Sequence, residues 1–112
     1  MNTGTFASST ITFGSLSSIT SYGSTDGFLL KLSTSGTEQW AIGYGGTSSE
    51  SSYGITVDNT TSVVYLTGGF YSSTATFGST TLTNAGSGNI WVAKVTSSGS
   101  VTWAKSFVWL KC

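Results

Sequence analysis

Proline, histidine and arginine are all missing from this chain of 112 residues, and cysteine occurs once, at Cys112. Without proline, one common device that blunts an exposed sheet edge is gone. Without histidine, the many serines lack the usual activating base of a nucleophilic triad. A single cysteine and no histidine leave no ligand set for zinc. No disulfide can form within the chain, so cysteine usage does not report a redox compartment. Charge is scarce as well. Four Lys stand against Asp26, Glu38, Glu50 and Asp58, giving a net charge of zero and 7 % charged residues. Nucleic acid and anionic membranes both require clustered Lys or Arg, so neither is an expected partner. So little charge also protects poorly against self-association.

Long apolar runs are absent too. None approaches the roughly 18 residues of a spanning helix, so no membrane span is expected. The opening "MNTGTFASST" lacks the basic region and apolar core of a signal peptide, so any export signal is expected outside this stretch. "GYGG" leads into a strand rather than a helix, which does not suit a phosphate loop, and no Asp-rich calcium loop is present. No cofactor and no metal are expected.

What remains is rich in Ser and Thr, which together exceed a third of the chain, yet it also carries four Trp, five Tyr and six Phe. Disordered low-complexity segments lack aromatic and β-branched residues. This mixture suits a pleated, half-buried backbone.

The chain repeats itself. "DGFLLKLSTSGTEQWA" returns, worn, as "GNIWVAKVTSSGSVTWAK". Lys31 and Lys94, Gly36 and Gly99, and Trp40 and Trp103 are each 63 apart (94 − 31). Further upstream, "TGTF" at 3–6 matches "TGGF" at 67–70, and "TFG" at 12–14 matches "TFG" at 76–78, both 64 apart. One residue is therefore gained or lost between Gly14 and Ile19, which marks that Ser/Thr stretch as a loop.

Within each copy the signals are those of strands. "FLLKL" and "IWVAKV" are apolar runs broken only by Lys, as expected of strands covered on both faces. Ser-Gly between "FLLKL" and the Trp40 run, and again before Trp103, is a hairpin signal. "YGITVDNTTSVVYLTGGF" is a second hairpin, turning at 58–62, where Asp58 and Asn59 favour a turn through side-chain to backbone bonds. Fifteen glycines and no apolar stripe of helical period argue against helices. Strands are expected near 27–33, 37–44, 53–58, 63–70, 89–96 and 100–107.

Four strands per unit at this repeat length predict an all-β fold of four-stranded antiparallel β-propeller blades. The chain holds about one and a half to two of them, an incomplete propeller. Residues 3–46 form a partial blade, its last two strands with a preceding loop. Residues 53–107 form a blade, and 108–112 are a tail off the pattern. A parallel β-helix competes on composition, but nothing repeats at its tighter spacing.

These residues resemble the bacterial β-propeller repeat family known as SBBP. Asp26, Phe28, Lys31, Gly36, Trp40, Gly45, Gly46, Gly54, Ile55, Val57, Asp58, Tyr65, Thr67 and Gly68 fill its pattern. The second copy keeps Trp91, Val92, Ala93, Lys94, Gly99 and Trp103, with Asn89 in place of Asp26. After Phe107 the family's Gly-Gly gives way to "VWLKC". The resemblance implies an extracellular or cell-surface protein in a structural or partner-binding role, not an enzyme. It implies as partners neighbouring blades, in a longer chain or a homo-oligomer, with a protein or glycan ligand beyond them. The alternative is a lectin-like carbohydrate-binding propeller assembled from several copies.

Trp40 and Trp103 are the candidate ligand-stacking residues, one per copy. The competing role is a repeated core anchor, because a large aromatic buries much area. Trp91, aligned with Phe28, reads as core. Lys31 and Lys94 are expected with packed stems and hydrated heads. A glycosidase-type carboxylate pair is not expected. Asp58 belongs to its turn and Asp26 to its strand start, and Glu38 and Glu50 have no counterparts in the other copy. "NTT" at 59–61 fits a glycosylation sequon, but the triplet is common by chance in so Ser/Thr-rich a chain and an ordinary turn is the favoured reading.

Overall fold

The computed structural model describes residues 2–58, 60–83 and 89–108. The sequon's Asn59 and the tail at 109–112, with Cys112, lie outside the described residues. Among those described, every regular element is a strand, in the order β1 (Asn2–Phe6), β2 (Thr10–Ile11), β3 (Ile19–Thr20), β4 (Asp26–Leu32), β5 (Glu38–Gly45), β6 (Glu50–Val57), β7 (Val64–Phe70), β8 (Thr74–Phe77), β9 (Thr80–Thr83), β10 (Asn89–Val95) and β11 (Val101–Val108). The six expected strands lie at β4, β5, β6, β7, β10 and β11. Beyond those six, the chain forms strand β1 and the small hairpin β2–β3 before β4, and the hairpin β8–β9 between β7 and β10.

Among the described residues three sheets result, and none closes on itself. One has five strands in the order β1-β4-β5-β8-β9, one has four in the order β11-β10-β7-β6, and β2-β3 stand as a pair. Among the described residues all ladders are antiparallel, and the parallel pairing is a single bridge between Thr25 and Ser49. A parallel β-helix, whose coils stack parallel strands, does not fit this pattern.

The repeat holds down to register. Lys31 stands opposite Trp40, with a bulge after Lys31; Lys94 stands opposite Trp103, with a bulge after Lys94. Phe6 pairs with Asp26 as Phe70 pairs with Asn89. The Thr3 hydroxyl donates to the Phe28 carbonyl at 2.9 Å, and the Thr67 hydroxyl donates to the Trp91 carbonyl at 2.9 Å. Both hairpin turns are built alike. Ser33 N–H reaches the Thr37 carbonyl at 2.8 Å, as Thr96 N–H reaches Ser100. Gly36 (φ 85°) and Gly99 (φ 93°) take the left-handed corner that Gly occupies without strain.

Side chains alternate across each sheet, so each has two faces. The core lies between the front of the first sheet, carrying Leu29, Ile42 and Tyr44, and the back of the second, carrying Trp91, Ala93 and Val95. Trp91 is completely buried. Its ring meets Tyr44 edge-on at 5.0 Å and Phe77 at 4.8 Å, and Tyr44 stacks on Phe77 at 5.2 Å. Room for the indole comes from Gly68, where a Cβ would sit 2.7 Å from the Trp91 ring.

Candidate functional site

The richest chemistry lies where the two large sheets meet, and the repeat explains how it arises. Hairpin β8–β9 is part of the second copy, and Phe77 packs on that copy's Trp91. Its backbone nevertheless adds to the first sheet, with Phe77 opposite Tyr44 and Thr76 opposite Gly45. The second copy thus hands a hairpin to the edge of the first.

Below that edge sit two buried acids. Asp26 opens β4 and is fully buried; Glu50 opens β6 and is 2 % exposed. The crossing is fixed by Glu50 N–H donating to the Thr25 carbonyl at 2.8 Å. Asp26 Oδ2 accepts the Tyr22 N–H and the Ser21 hydroxyl. Glu50 Oε1 accepts the Ser72 hydroxyl, whose oxygen in turn accepts the Ser48 N–H at 2.8 Å. The second oxygen of each acid, Asp26 Oδ1 and Glu50 Oε2, is buried without a hydrogen-bond partner. Burial pushes the Glu50 carboxyl above the usual carboxylate range. The Ser72 hydroxyl and the Gly46 backbone pull it back down, and the charge of Asp26 pushes it up again. Chain positions 24 apart gave no signal for this pairing. The one hint was Asn89, a neutral isostere standing where the first copy has Asp26.

Two carboxylates sealed this completely have no path for a sugar, so the arrangement does not suit glycoside hydrolysis, which needs acid and base on either side of a bound substrate. What it does is hold the crossover. Tyr44 reinforces it from the side, its hydroxyl bonding to Ser52 on β6 and lying 3.2 Å from the Thr3 hydroxyl. Burial raises the Tyr44 phenol above its ordinary value, against the opposing effect of those two hydroxyls.

The two candidate stacking residues occupy equivalent places in unequal surroundings. Trp40 is half-buried against the core, and its Nε1–H donates to the Ser97 carbonyl at 2.9 Å. Lys31 Nζ donates to the same carbonyl at 3.2 Å, so its head is not simply hydrated. The turn of the second copy is thereby gripped by the first, with Gly99 against the Trp40 ring. Trp103 is half-buried and outside that core, with Lys105 Nζ 5.9 Å above its ring. Trp91 is core, as expected, whereas its counterpart Phe28 is half-buried and packs on Phe13 at 4.9 Å. Asp58 serves its turn, accepting the Thr60 N–H at 2.8 Å, and that bond lowers its pKa.

Between the sheets runs a cleft of about 430 Å³, lined by Ile19, Tyr22, Ile42, Gly99 and Val101 among others. A second hollow, about 270 Å³, lies on the front of the second sheet over Thr56, Tyr65 and Val92. Among the described residues no group of three or more acidic, Cys or His side chains gathers to hold a metal ion. Among the same residues no helix is long and apolar enough to cross a membrane. No family model matches the chain, and no curated protein matches it.

Proposed function

We propose that this chain is a run of β-propeller blades from a secreted or cell-surface protein of the SBBP repeat type, with a structural or partner-binding role and no catalysis of its own. The observation that carries the reading is the joint between the two copies. Each copy builds the same register, and the later copy lends a hairpin to the edge of the earlier one. Units that pass an element back in this way propagate, and radial propagation is how propellers limit their free edges. Two open sheets fall short of the four to eight blades, roughly, of a closed propeller. Neighbouring blades, in a longer chain or in further copies, are the first partners implied.

The encoding DNA provides the test. Read onward in all frames, it should contain further copies at the 63-residue spacing of Lys31 and Lys94, with an export signal upstream of the first. Flanking DNA with neither feature would remove the reading of a longer propeller. A lectin-like role is favoured by one feature: Trp103 is only partly buried and lies outside the core against which Trp40 packs. Glycan-array binding lost in Trp103→Ala, with the fold intact, would establish it.

A further inference from the structure

The joint inside the chain has two halves, and each half recurs unmated at an opposite side of the molecule. The mating front of the first sheet carries Lys31, Trp40 and Tyr44; the same places on the second sheet hold Lys94, Trp103 and Phe107. The mating back of the second copy carries Phe77, Trp91 and Val95; the same places on the first copy hold Phe13, Phe28 and Leu32. Mated, the aromatic and aliphatic centre of the joint is sealed from solvent. Tyr44 and Phe77 are each 1 % exposed and Val95 is 0 % exposed. Unmated, Phe107 is 55 % exposed and Leu32 is 37 % exposed, two of the four large apolar side chains in the open among the described residues. Among the described residues β11 pairs only with β10, and β2–β3 pair only with each other. The hairpin that would complete a joint is also preset. Phe13 sits on Phe28 at 4.9 Å and 50°, as Phe77 sits on Trp91 at 4.8 Å and 48°.

Resting on the blade reading above, we infer that the front of the second sheet docks the back of the first sheet of a second copy of this chain, head to tail. In that joint the hairpin of one copy adds to the β11 edge of the other. Phe13 stands opposite Phe107 and Thr12 opposite Val108, reproducing Phe77 with Tyr44 and Thr76 with Gly45. Trp103 Nε1–H and Lys94 Nζ grip the Thr34 carbonyl as Trp40 and Lys31 grip Ser97. The hollow over Thr56, Tyr65 and Val92 is filled by Phe28, much as Leu29 is covered by Trp91's sheet. One place departs from the pattern. Lys105 stands where the first copy has Ile42, so this joint is weaker than the internal one. The contact is heterologous, and such contacts propagate until a ring closes or a filament grows.

Sedimentation velocity across a concentration series tests the inference. The chain should form species larger than a monomer that grow with concentration. Phe107→Asp and Leu32→Asp each alter an exposed side chain, and each should leave the circular dichroism spectrum unchanged and abolish all species above monomer. Mixed in equal amounts, the two variants keep one intact half each and should yield a dimer and nothing larger. Trp103→Phe, which removes only the indole donor, should raise the half-association concentration about 2- to 10-fold, and Lys105→Ile should lower it. A chain monomeric to its solubility limit overturns the inference. So does Phe107→Asp assembling like the parent, or a mixture that gives no dimer, as a two-fold symmetric contact or another protein as occupant would predict. Negative-stain microscopy separates this from the blade reading. Variant-sensitive assembly into open filaments keeps the joint and removes the propeller; no assembly removes the joint and leaves blades of a longer chain standing.

Discussion

Replacing Trp91 and Phe28 in turn measures how far position between the sheets, rather than position in the repeat, sets the core. The two residues are equivalent in sequence and in register, each receiving a threonine hydroxyl on its carbonyl at 2.9 Å. Their surroundings differ. Trp91 is 0 % exposed, has Tyr44 and Phe77 within ring contact, and donates its Nε1–H to the Gly69 carbonyl at 3.2 Å. Phe28 is half-buried and has the single ring partner Phe13. Removing a fully buried Trp costs about 3–5 kcal/mol. Removing a Phe that is only partly buried forfeits part of the burial term, about 1–2 kcal/mol. A domain of this size is held by roughly 6–17 kcal/mol, so Trp91→Ala takes a large share and leaves Phe28→Ala well folded. Trp91→Phe, which installs the other copy's residue, loses the bond to Gly69 and some packing, about 1–2 kcal/mol. Urea unfolding followed by tyrosine and tryptophan fluorescence, with the slope held constant, reads all three. Equal costs for Trp91→Ala and Phe28→Ala would refute the assignment of the core to the inter-sheet space. A cost below that of Phe28→Ala for Trp91→Ala would invert it.

Three further outcomes follow from the joint. The folded Glu50 carboxyl lies above its unfolded value, so between the two the folded state holds the extra proton; stability falls as pH rises from the ordinary Glu range through the folded value. Glu50→Gln should remove that decline in a melting-temperature series against pH, and Asp26→Asn should flatten it; an unchanged slope in both would contradict the coupling. Gly36→Ala and Gly99→Ala meet the same left-handed strain, about 1 kcal/mol, but a Cβ at 99 also lies 2.8 Å from the Trp40 ring while one at 36 meets nothing within 4 Å. Gly99→Ala should therefore be the costlier change by thermal melting, and equal costs would mean that Trp40 does not pack on that turn. Trp40→Ala, losing the Ser97 bond and the turn contact, should cost about 1–2 kcal/mol, whereas Trp103→Ala in a monomeric Phe107→Asp background should change the melting point little; a reversed order would show the two copies misassigned.

Much of the strand layout was legible from residues alone, and for a local reason. Strand signals are short-range. The apolar runs at "FLLKL" and "IWVAKV", the Ser-Gly corners at Gly36 and Gly99, and the Asp58 turn each declare themselves within a few residues. The repeat added register, because two copies that match at Lys31 and Lys94 must pair them alike with Trp40 and Trp103. The one-residue slip between Gly14 and Ile19 even marked the turn of β2–β3. Its strands were missed, since two residues each give no periodicity to detect.

The sequence by itself therefore determined an all-β chain made of two like units. What it left undecided is which of two equivalent residues would be buried. Trp91 and Phe28, Tyr44 and Phe107, and Trp40 and Trp103 carry the same local instructions, yet the first of each pair packs in the inter-sheet core and the second does not. Burial depends on what stands across the gap, and that is a property of how one sheet stacks on the next. The same holds for Asp26 and Glu50, whose meeting depends on the crossover at Thr25 and on the β8–β9 hairpin reaching back to β5. Long-range contact of this kind has no local signature, because the energy lies in surfaces brought together by the fold and not in any stretch of chain.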